Sequence, residues 1–362
     1  MTNSPESTVL GPSTSGSERP LLEIMDLKTF FYVDEGVLKA VDGVSFFVNR
    51  EETLGLIGES GCGKSVTALS VLRIVSSPGR LVSGEILLRL DGDIIDLAQL
   101  NPSGGEIRDI RGKEISMVFQ EPMTSLSPVH TIGNQIREAI LLHRTNDRQE
   151  AQDIALDMLD RVGIANPTKC IDDYPHQLSG GMRQRAMIAM ALSCHPKLLI
   201  ADEPTTALDV TVQAQILDLI KELQERFRMA VLYITHDLGV IAEMCHRVAV
   251  MYLGRIVEYG SVRDIFYRPL HPYTVRLLKS RPKLIKGVRE RLVSIKGNVP
   301  VPLDPPPQCG FHDRCPEAID GRCNAAVPEL VEKEDGHWVR CFSYEGACPE
   351  RLNSVELVEG TG

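Results

Sequence analysis

The chain contains the glycine-rich stretch Gly58-Glu59-Ser60-Gly61-Cys62-Gly63-Lys64-Ser65, which fits the pattern G-x-x-x-x-G-K-[ST]. An apolar run at 53–57 precedes it, and residues 65–75 have the composition of a helix. In a strand–loop–helix unit of this kind, glycines let backbone amides curl around phosphate groups, and the helix directs its positive end at them. The stretch therefore predicts an α/β fold with a phosphate-binding loop. An ordinary glycine-rich turn would leave Lys64 and the flanking segments unexplained.

Length and charge narrow the classes of protein to which the chain can belong. Its 362 residues allow a large core and two domains. The 39 basic and 49 acidic residues give a net charge of −10, which argues against a nucleic-acid-binding protein. No apolar run approaches the ~18 residues of a membrane helix, so a transport role would require separate membrane subunits. Residues 1–20 lack the features of a signal peptide and are predicted to be a disordered tail.

Hydrophobic periodicity predicts the elements on both sides of the loop. Residues 21–55 alternate in short bursts, which predicts antiparallel strands. Residues 131–163 carry helical periodicity and predict a helical insert, and residues 182–194 predict a further helix. Apolar runs at 198–201 and 231–235 predict two buried parallel strands with a long helix between them.

Four more motifs follow the loop along the chain. They are Gln120, Leu178-Ser179-Gly180-Gly181-Met182, the pair Asp202-Glu203 at the end of an apolar run, and His236 after a second apolar run. An SGG element before an acidic pair indicates a site shared by two subunits. The order resembles the nucleotide-binding domain of ABC transporters over most of residues 21–280. The resemblance implies a P-loop NTPase (RecA-like) core with an antiparallel β subdomain and a helical subdomain at about 121–195.

The resemblance also implies how ATP and Mg²⁺ are held. Lys64 would reach the β- and γ-phosphates, and Ser65 would ligate Mg²⁺. Asp202 would hold Mg²⁺ through water, and Glu203 would be the general base that polarises the attacking water. A solvated Asp-Glu pair at a strand end is the alternative. The implied nucleotide-binding set around the loop is Gly58, Ser60, Gly61, Cys62, Gly63, Lys64, Ser65 and Val66.

Gln120 and His236 complete the implied catalytic set with Glu203. Gln120 resembles the hinge glutamine that touches Mg²⁺ and links the core to the helical insert, although a surface glutamine before a proline turn is the alternative. His236 directly follows an apolar strand and resembles the switch histidine that orients the γ-phosphate and the attacking water. A lone histidine is otherwise usually structural.

Ser179, Gly180 and Gly181 resemble the signature loop of the family, which contacts the γ-phosphate bound by a second subunit. Met182 departs from the glutamine that many members carry, but this position is expected to be peripheral to the phosphates. Ala207-Leu208-Asp209 resembles the dimer-contact loop. The resemblance therefore implies that the subunit hydrolyses ATP only after it pairs with a second one.

An aromatic side chain from the early strands is expected to stack on adenine. Phe30, Phe31 and Tyr32 qualify by type, and their register with Leu27 favours Phe31. Packing in the core is the alternative for each of them.

Three further stretches, together with a cysteine-rich tail, narrow the resemblance. They are the sequence EPMTSLSP at 121–128, GGMRQR at 180–185 and RPLHPYT at 268–274. They resemble the ATPase subunits of bacterial dipeptide and oligopeptide importers. The implied partners are a second, related ATPase subunit, two membrane permeases and an extracytoplasmic substrate-binding protein, with no nucleic acid. The implied location is peripheral, on the cytoplasmic face of the inner membrane.

The tail is predicted to be a small cysteine-rich, metal-binding domain at 281–350, followed by an acidic tail at 351–362. Its thiols have the spacing Cys309-x5-Cys315-x7-Cys323-x17-Cys341, which matches neither the compact zinc spacings nor the tight ferredoxin run. Spacing alone indicates four thiolates for a soft metal. The resemblance implies a four-iron four-sulfur (4Fe-4S) cluster, and zinc or free thiols are the alternatives. Cys348 could replace Cys341.

Two other functions compete with the importer ATPase. A soluble ABC ATPase acting on DNA, ribosomes or iron–sulfur assembly would usually show two nucleotide sets or a long coiled insert, and a basic face. A scaffold protein would not explain why Glu203 and His236 are intact. The solute stays open, because relatives with similar ATPases carry peptides, nickel complexes or glycosides.

Overall fold

The chain folds into two β-sheets with helices packed against them. The computed structural model describes residues 19–121, 125–206, 208–280, 295 and 297–345. The strands of the described residues are β1 Leu22–Val33, β2 Gly36–Val48, β3 Thr53–Ile57, β4 Gly79–Leu90, β5 Asp93–Asp96, β6 Ile115–Val118, β7 Leu198–Asp202, β8 Ala230–Thr235, β9 Arg247–Tyr252, β10 Arg255–Ser261, β11 Val331–Glu334 and β12 His337–Val339. The helices are α1 Lys64–Val71, α2 Gly105–Ile110, α3 Ile132–His143, α4 Arg148–Arg161, α5 Pro167–Cys170, α6 Gly180–Leu192, α7 Val210–Phe227, α8 Leu238–Met244, α9 Val262–Tyr267 and α10 Pro272–Lys279.

The smaller sheet is antiparallel and has the strand order β2-β1-β4-β5. Strand β1 pairs with β2 through Leu22 opposite Val48 and with β4 through Leu22 opposite Leu88. The apolar side chains of these strands are buried in one cluster with those of α1 and part of the larger sheet. The antiparallel strands predicted from the alternating pattern are thereby confirmed.

The larger sheet has the order β11-β12-β10-β9-β3-β8-β7-β6, and its five strands from β9 to β6 run parallel. Every residue of β3, β7 and β8 is buried, as expected of parallel strands covered on both faces. These three strands are neighbours, so their carboxyl ends meet at one edge of the sheet. The segments that follow them, which carry the predicted motifs, are brought together at that edge.

Helices α3, α4 and α6 form a second layer with its own apolar cluster. Ile132, Ile136 and Ile140 share the buried face of α3, which confirms the helical periodicity read from the sequence. Helix α7 is 18 residues long and buries one stripe against the same cluster. Within the described residues, no helix has both the length and the apolar composition needed to cross a membrane.

The cysteine-rich tail packs onto the nucleotide-loop region and extends its sheet. Strand β12 pairs with β10, with Trp338 opposite Tyr259, and β11 pairs with β12. Phe311 is 1% exposed because it packs among side chains of the larger sheet and α10. The large apolar residues of the tail therefore share a core with the rest of the chain.

Several sequence predictions fall outside the described residues. These are the predicted disordered tail up to residue 18, residues 122–124 of the 121–128 stretch, Ala207, residues 281–294, 296 and 346–350 of the predicted cysteine-rich domain, which include Cys348, and the acidic tail. The proposed domain boundaries stay predictions.

Candidate functional site

The glycine-rich loop is pressed between two neighbouring segments of backbone. Gly58 and Gly63 have φ values of +155° and +103°, and a Cβ on either would meet a backbone oxygen at 2.2 or 2.1 Å. Those oxygens belong to Met251 and Ala40. Glycine is therefore required at both positions, for backbone conformation as well as for space. Strand β3 delivers the chain into this loop, and helix α1 begins at Lys64.

The Lys64 side chain lies within the loop and bonds to the loop itself. Its Nζ donates to the carbonyl oxygens of Gly58 at 2.8 Å and Glu59 at 3.1 Å. Lys64 is only 6% exposed, so its ammonium group has exchanged water for these two carbonyls. Burial raises the pKa of the neighbouring Cys62 thiol, which keeps that thiol protonated and unreactive. The lysine is thus available to phosphate oxygens after a short movement.

Asp202, the last residue of β7, presents a carboxylate that lacks a full set of partners. It is 4% exposed, and its Oδ1 has no hydrogen-bond partner among the described residues. Burial raises the pKa of Asp202, whereas a hydrogen bond from the Ser65 side chain lowers it. A buried acceptor without a partner is costly unless a cation or water satisfies it. Asp202 and Ser65 therefore have the chemistry and the proximity required to hold Mg²⁺.

Glu203 is the point at which three separate segments meet. Its Oε1 lies 3.0 Å from Nδ1 of His236, which follows β8. Its Oε2 accepts from Nε2 of Gln120 at 3.2 Å and from Oγ1 of Thr206 at 2.9 Å. Gln120 follows β6, so the carboxyl ends of β6, β7 and β8 each contribute one side chain. A carboxylate held in place by three partners is suited to accept a proton from a water molecule.

Thr206 is a member of this group that the sequence analysis missed. The available signal was a hydroxyl residue three positions after Glu203, in the turn that follows the acidic pair. Thr206 is exposed, and its contact depends on the turn at 203–206, where Thr206 N donates to Glu203 O at 3.1 Å. Such a contact cannot be inferred from residue type alone.

The SGG element forms the start of helix α6. Ser179 caps the helix, and its Oγ accepts from Met182 N at 3.3 Å. Gly181 packs against Val212, where an added Cβ would come within 3.0 Å. Ser179 and Gly180 are exposed. The exposed N-terminus of this 13-residue helix presents backbone amides that could bind an anion.

The three aromatic candidates for an adenine contact have different surroundings. Phe31 is half-buried, and its ring packs against Gly79 in β4, where an added Cβ would meet Cε1 at 2.6 Å. Tyr32 is 46% exposed, and the guanidinium of Arg80 lies 5.8 Å from its ring centroid. The Nζ of Lys39 lies 5.7 Å from the centroid of Phe30. The assignment of Phe31 stays a prediction.

The four tail cysteines share one region of the structure without forming a metal site. All four are free thiols, and Cys309 N donates to the carbonyl of Cys323 at 2.9 Å. Burial raises the pKa of Cys309 to about 11 and that of Cys315 to about 12, and each thiol is also influenced by the charge of Cys341. Among the described residues, no group of three His, Cys, Asp or Glu side chains is arranged to hold a metal ion. The structure therefore does not support the predicted metal-binding domain or its 4Fe-4S cluster.

Two family profiles match the chain. The profile described as "ABC transporter" matches residues 41–206, and the profile "Oligopeptide/dipeptide transporter, C-terminal region" matches residues 257–323. The first match contains the loop, Gln120, the SGG element and the acidic pair. The second contains three of the four tail cysteines, Cys309, Cys315 and Cys323.

Curated relatives match along almost their whole length. A probable peptide ABC transporter ATP-binding protein, y4tR of Sinorhizobium fredii, is 53% identical over 89% of this chain and 94% of its own. The oligopeptide transport ATP-binding protein AppD of Bacillus subtilis is 50% identical over 90% and 97%. The dipeptide transport ATP-binding protein DppD of Escherichia coli is 46% identical over 89% and 96%.

A solved structure with the same fold is the dimeric ATP-binding cassette MJ0796 bound to ADP and Pi. It is 26% identical, superimposes with a TM-score of 0.59, and covers 67% of this chain and 99% of its own.

Proposed function

Because the chain belongs to the ABC transporter family, among the ATP-binding subunits of its oligopeptide and dipeptide transporters, we propose that it hydrolyses ATP to drive peptide import. The observation that carries the proposal is the convergence of Gln120, Thr206 and His236 on Glu203, beside a buried Asp202 and a phosphate loop. The relatives' names supply the solute class, peptides. They do not define peptide length or sequence.

The residues of the site suggest a division of labour. Lys64 leaves the carbonyls of Gly58 and Glu59 and donates to the phosphates of ATP. Ser65 and Asp202 would hold Mg²⁺, which would neutralise phosphate charge. The unpartnered Oδ1 of Asp202 supports this role, because it could accept a hydrogen bond from a water molecule on the metal.

Glu203 acts as the general base. It removes a proton from the attacking water, and its carboxylate is kept in one orientation by Gln120, Thr206 and His236. The 64% exposure of the His236 side chain supports a role at the γ-phosphate, because the ring is open to a bound ligand. No other carboxylate in the described site has this set of three donors.

We assign the SGG element to a second subunit's nucleotide. Ser179, Gly180 and Gly181 would complete the ATP site of a partner, and the partner's equivalent loop would complete this one. The dimeric MJ0796 structures, of which one is bound to ADP and Pi, support such pairing. The further proposed partners are two membrane permeases and a substrate-binding protein, with this subunit on the cytoplasmic face of the membrane.

A metal in the tail is a separate part of the proposal. The four free thiols and their shared region support a site that forms when a metal draws Cys309, Cys315, Cys323 and Cys341 together. A 4Fe-4S cluster is the first candidate, and zinc is the second. No step of ATP hydrolysis passes through this group.

Glu203→Gln tests the central assignment. The amide keeps the shape of the side chain but cannot accept the proton, so hydrolysis should fall by about 10²- to 10⁴-fold. Binding of MgATP should persist, and the ATP-bound dimer should accumulate on size-exclusion chromatography, because hydrolysis normally reopens it. Hydrolysis by the variant at the parent rate would show that Glu203 is not the base.

A matched control is Glu222→Gln, which makes the same chemical change on the exposed face of α7. This variant should retain the parent rate. ATP-dependent peptide uptake, measured in vesicles that hold the subunit with its permeases, tests the coupling to transport. Hydrolysis without any uptake of peptides would favour another solute or a soluble ATPase.

A further inference from the structure

The cysteine-rich tail contacts the phosphate loop through Arg314, which pairs with Glu59, the second residue of the loop. Arg314 forms a two-pronged ion pair with Glu59, with Nη1–Oε2 at 2.8 Å and Nη2–Oε1 at 3.0 Å. The two residues are 255 positions apart. The Arg314 side chain is 7% exposed and that of Glu59 is 26% exposed, so this pair is partly shielded from water. Paired forks of this kind are stronger and more directional than a single surface ion pair.

The backbone of Glu59 is held on the same side by α10. Glu59 N donates to the Tyr273 hydroxyl at 2.9 Å. Its carbonyl accepts from Lys64 at 3.1 Å. The amide, the carbonyl and the side chain of one loop residue are therefore each engaged, and two of these three partners come from beyond residue 270.

Arg314 is itself confined, so it can act as a fixed support. It donates to the Tyr252 hydroxyl at 3.2 Å and to the carbonyl of Gly297 at 3.1 Å. Its guanidinium lies 5.7 Å from the centroid of the Tyr252 ring. Phe311 packs beside these residues, and its ring centroid lies 5.3 Å from that of Tyr252 and 5.4 Å from that of Tyr273. The hydrogen bonds from Arg314 to Glu59 raise the pKa of Arg314, which keeps it charged.

This arrangement matters once a nucleotide binds. Lys64 must then leave the carbonyl of Glu59, and the loop loses one of its internal contacts. A carboxylate in a loop that receives phosphates also repels them unless its charge is neutralised. Arg314 meets both requirements, because it anchors the loop from outside and pairs the charge of Glu59.

We propose that Arg314 is a positioning residue for the nucleotide, and that the tail sets the affinity of the phosphate loop for MgATP through Glu59. The proposal rests on the ATP-binding function proposed above. It assigns to the tail a role in the ATP site, although the residues assigned to phosphate and Mg²⁺ all lie upstream of residue 240.

Arg314→Gln, measured by direct titration with MgATP on the full chain, tests the proposal. The variant leaves Glu59 charged and unpaired, so affinity should fall by about 5- to 20-fold, the lower part of the usual range for coupling between two sites. Arg314→Lys keeps the charge but loses the two-pronged geometry, so its affinity should lie between those of the parent and of Arg314→Gln. Arg322→Gln is the matched control, because it removes an arginine that pairs with Glu345 elsewhere in the tail. It should bind like the parent.

The double variant Glu59→Gln/Arg314→Gln separates the effect of the unpaired Glu59 charge from a general loosening of the tail. If the unpaired carboxylate weakens binding, its removal should restore most of the lost affinity. A tail that has merely come loose would not be repaired by a change in the loop. Parent-like affinity in Arg314→Gln, or a double variant as weak as Arg314→Gln alone, would overturn the proposal. A parent protein that does not bind MgATP would instead refute the proposed function.

Discussion

At the scale of single residues, Glu203 combines a strained backbone with a fully engaged side chain. Its φ is +46°, in the left-handed region that costs a residue with a Cβ roughly 1 kcal/mol or more. The strain is held by a backbone hydrogen bond from Glu203 N to the carbonyl of Ile234 at 2.8 Å. This turn directs the carboxylate toward Gln120, Thr206 and His236. The backbone conformation is therefore part of how the site is built.

Thr206 offers a residue-scale prediction. Thr206→Val keeps the shape of the side chain but removes the hydroxyl that donates to Glu203, so the carboxylate becomes less well oriented. The rate of ATP hydrolysis should fall by about 3- to 10-fold, in line with the loss of one partly exposed hydrogen bond. Thr206→Ser restores the donor and should remain close to the parent. Equal rates for the valine and serine variants would mean that this contact has no part in orienting Glu203.

At the scale of elements, helix α10 joins the sheet to the phosphate loop. Glu258 of β10 is fully buried and accepts from the backbone amides of Leu270 and His271 and from His337 Nε2. His271 then caps α10, since its Nδ1 accepts from Tyr273 N at 3.0 Å. Tyr273, in the first turn, contacts Glu59. Helix α10 therefore connects strand β10 to the phosphate loop through hydrogen bonds at its N-terminal end.

The cap of α10 predicts a pH dependence of stability. Burial lowers the pKa of His271 to about 3, whereas a histidine in the unfolded chain titrates near ~6.5. Below pH ~6.5, His271 is protonated in the unfolded state but stays neutral in the folded state. The free energy of unfolding therefore falls as pH decreases toward 3. The contribution of this one group is at most ~1.4 kcal/mol per pH unit.

His271→Asn isolates that contribution, because asparagine is a good capping residue that does not titrate in this range. Denaturant unfolding of parent and variant at pH 7 and pH 5 should show a smaller loss of stability in the variant. Identical losses would indicate that His271 is protonated in the folded protein.

At the scale of the whole molecule, the tail and the nucleotide-loop region form one continuous structure. Strands β11 and β12 extend the larger sheet, and Phe311 is buried among side chains of that sheet and of α10. Arg314 and Cys315 are adjacent, so a change at the thiols lies one residue from the support of the phosphate loop. The tail is therefore placed to influence ATP binding as well as its own stability.

Cys315→Ser tests the proposed metal and its structural role together. Anaerobically purified parent protein should be brown and carry about four irons per chain if a cubane cluster forms. The variant should lose that iron and expose the tail to protease, while MgATP binding persists and weakens no more than in Arg314→Gln. Colourless parent protein with stoichiometric zinc would replace the cluster but keep the metal. Parent protein without metal whose tail still resists protease would refute both.

Local sequence was sufficient to predict several of the elements and their places along the chain. The motif from Gly58 to Ser65, the apolar runs of β7 and β8 and the periodicity of α3 each depend on neighbours in the chain, and each appears in the structure within a few residues of its predicted place. The acidic pair could be placed at a strand end because apolar strands and their final polar residues are adjacent in sequence.

The remaining features depend on contacts between residues far apart in the chain. Thr206 meets Gln120 at Glu203 only because β6 and β7 are neighbours in the sheet. The pairing of Arg314 with Glu59, and the addition of β12 to β10, join segments that no local pattern relates. The four tail thiols are the opposite case, because their spacing predicts a shared metal, whereas the described residues show no group arranged to hold one. Side-chain type and spacing restrict what a segment can become, but tertiary packing decides which distant groups come within bonding distance.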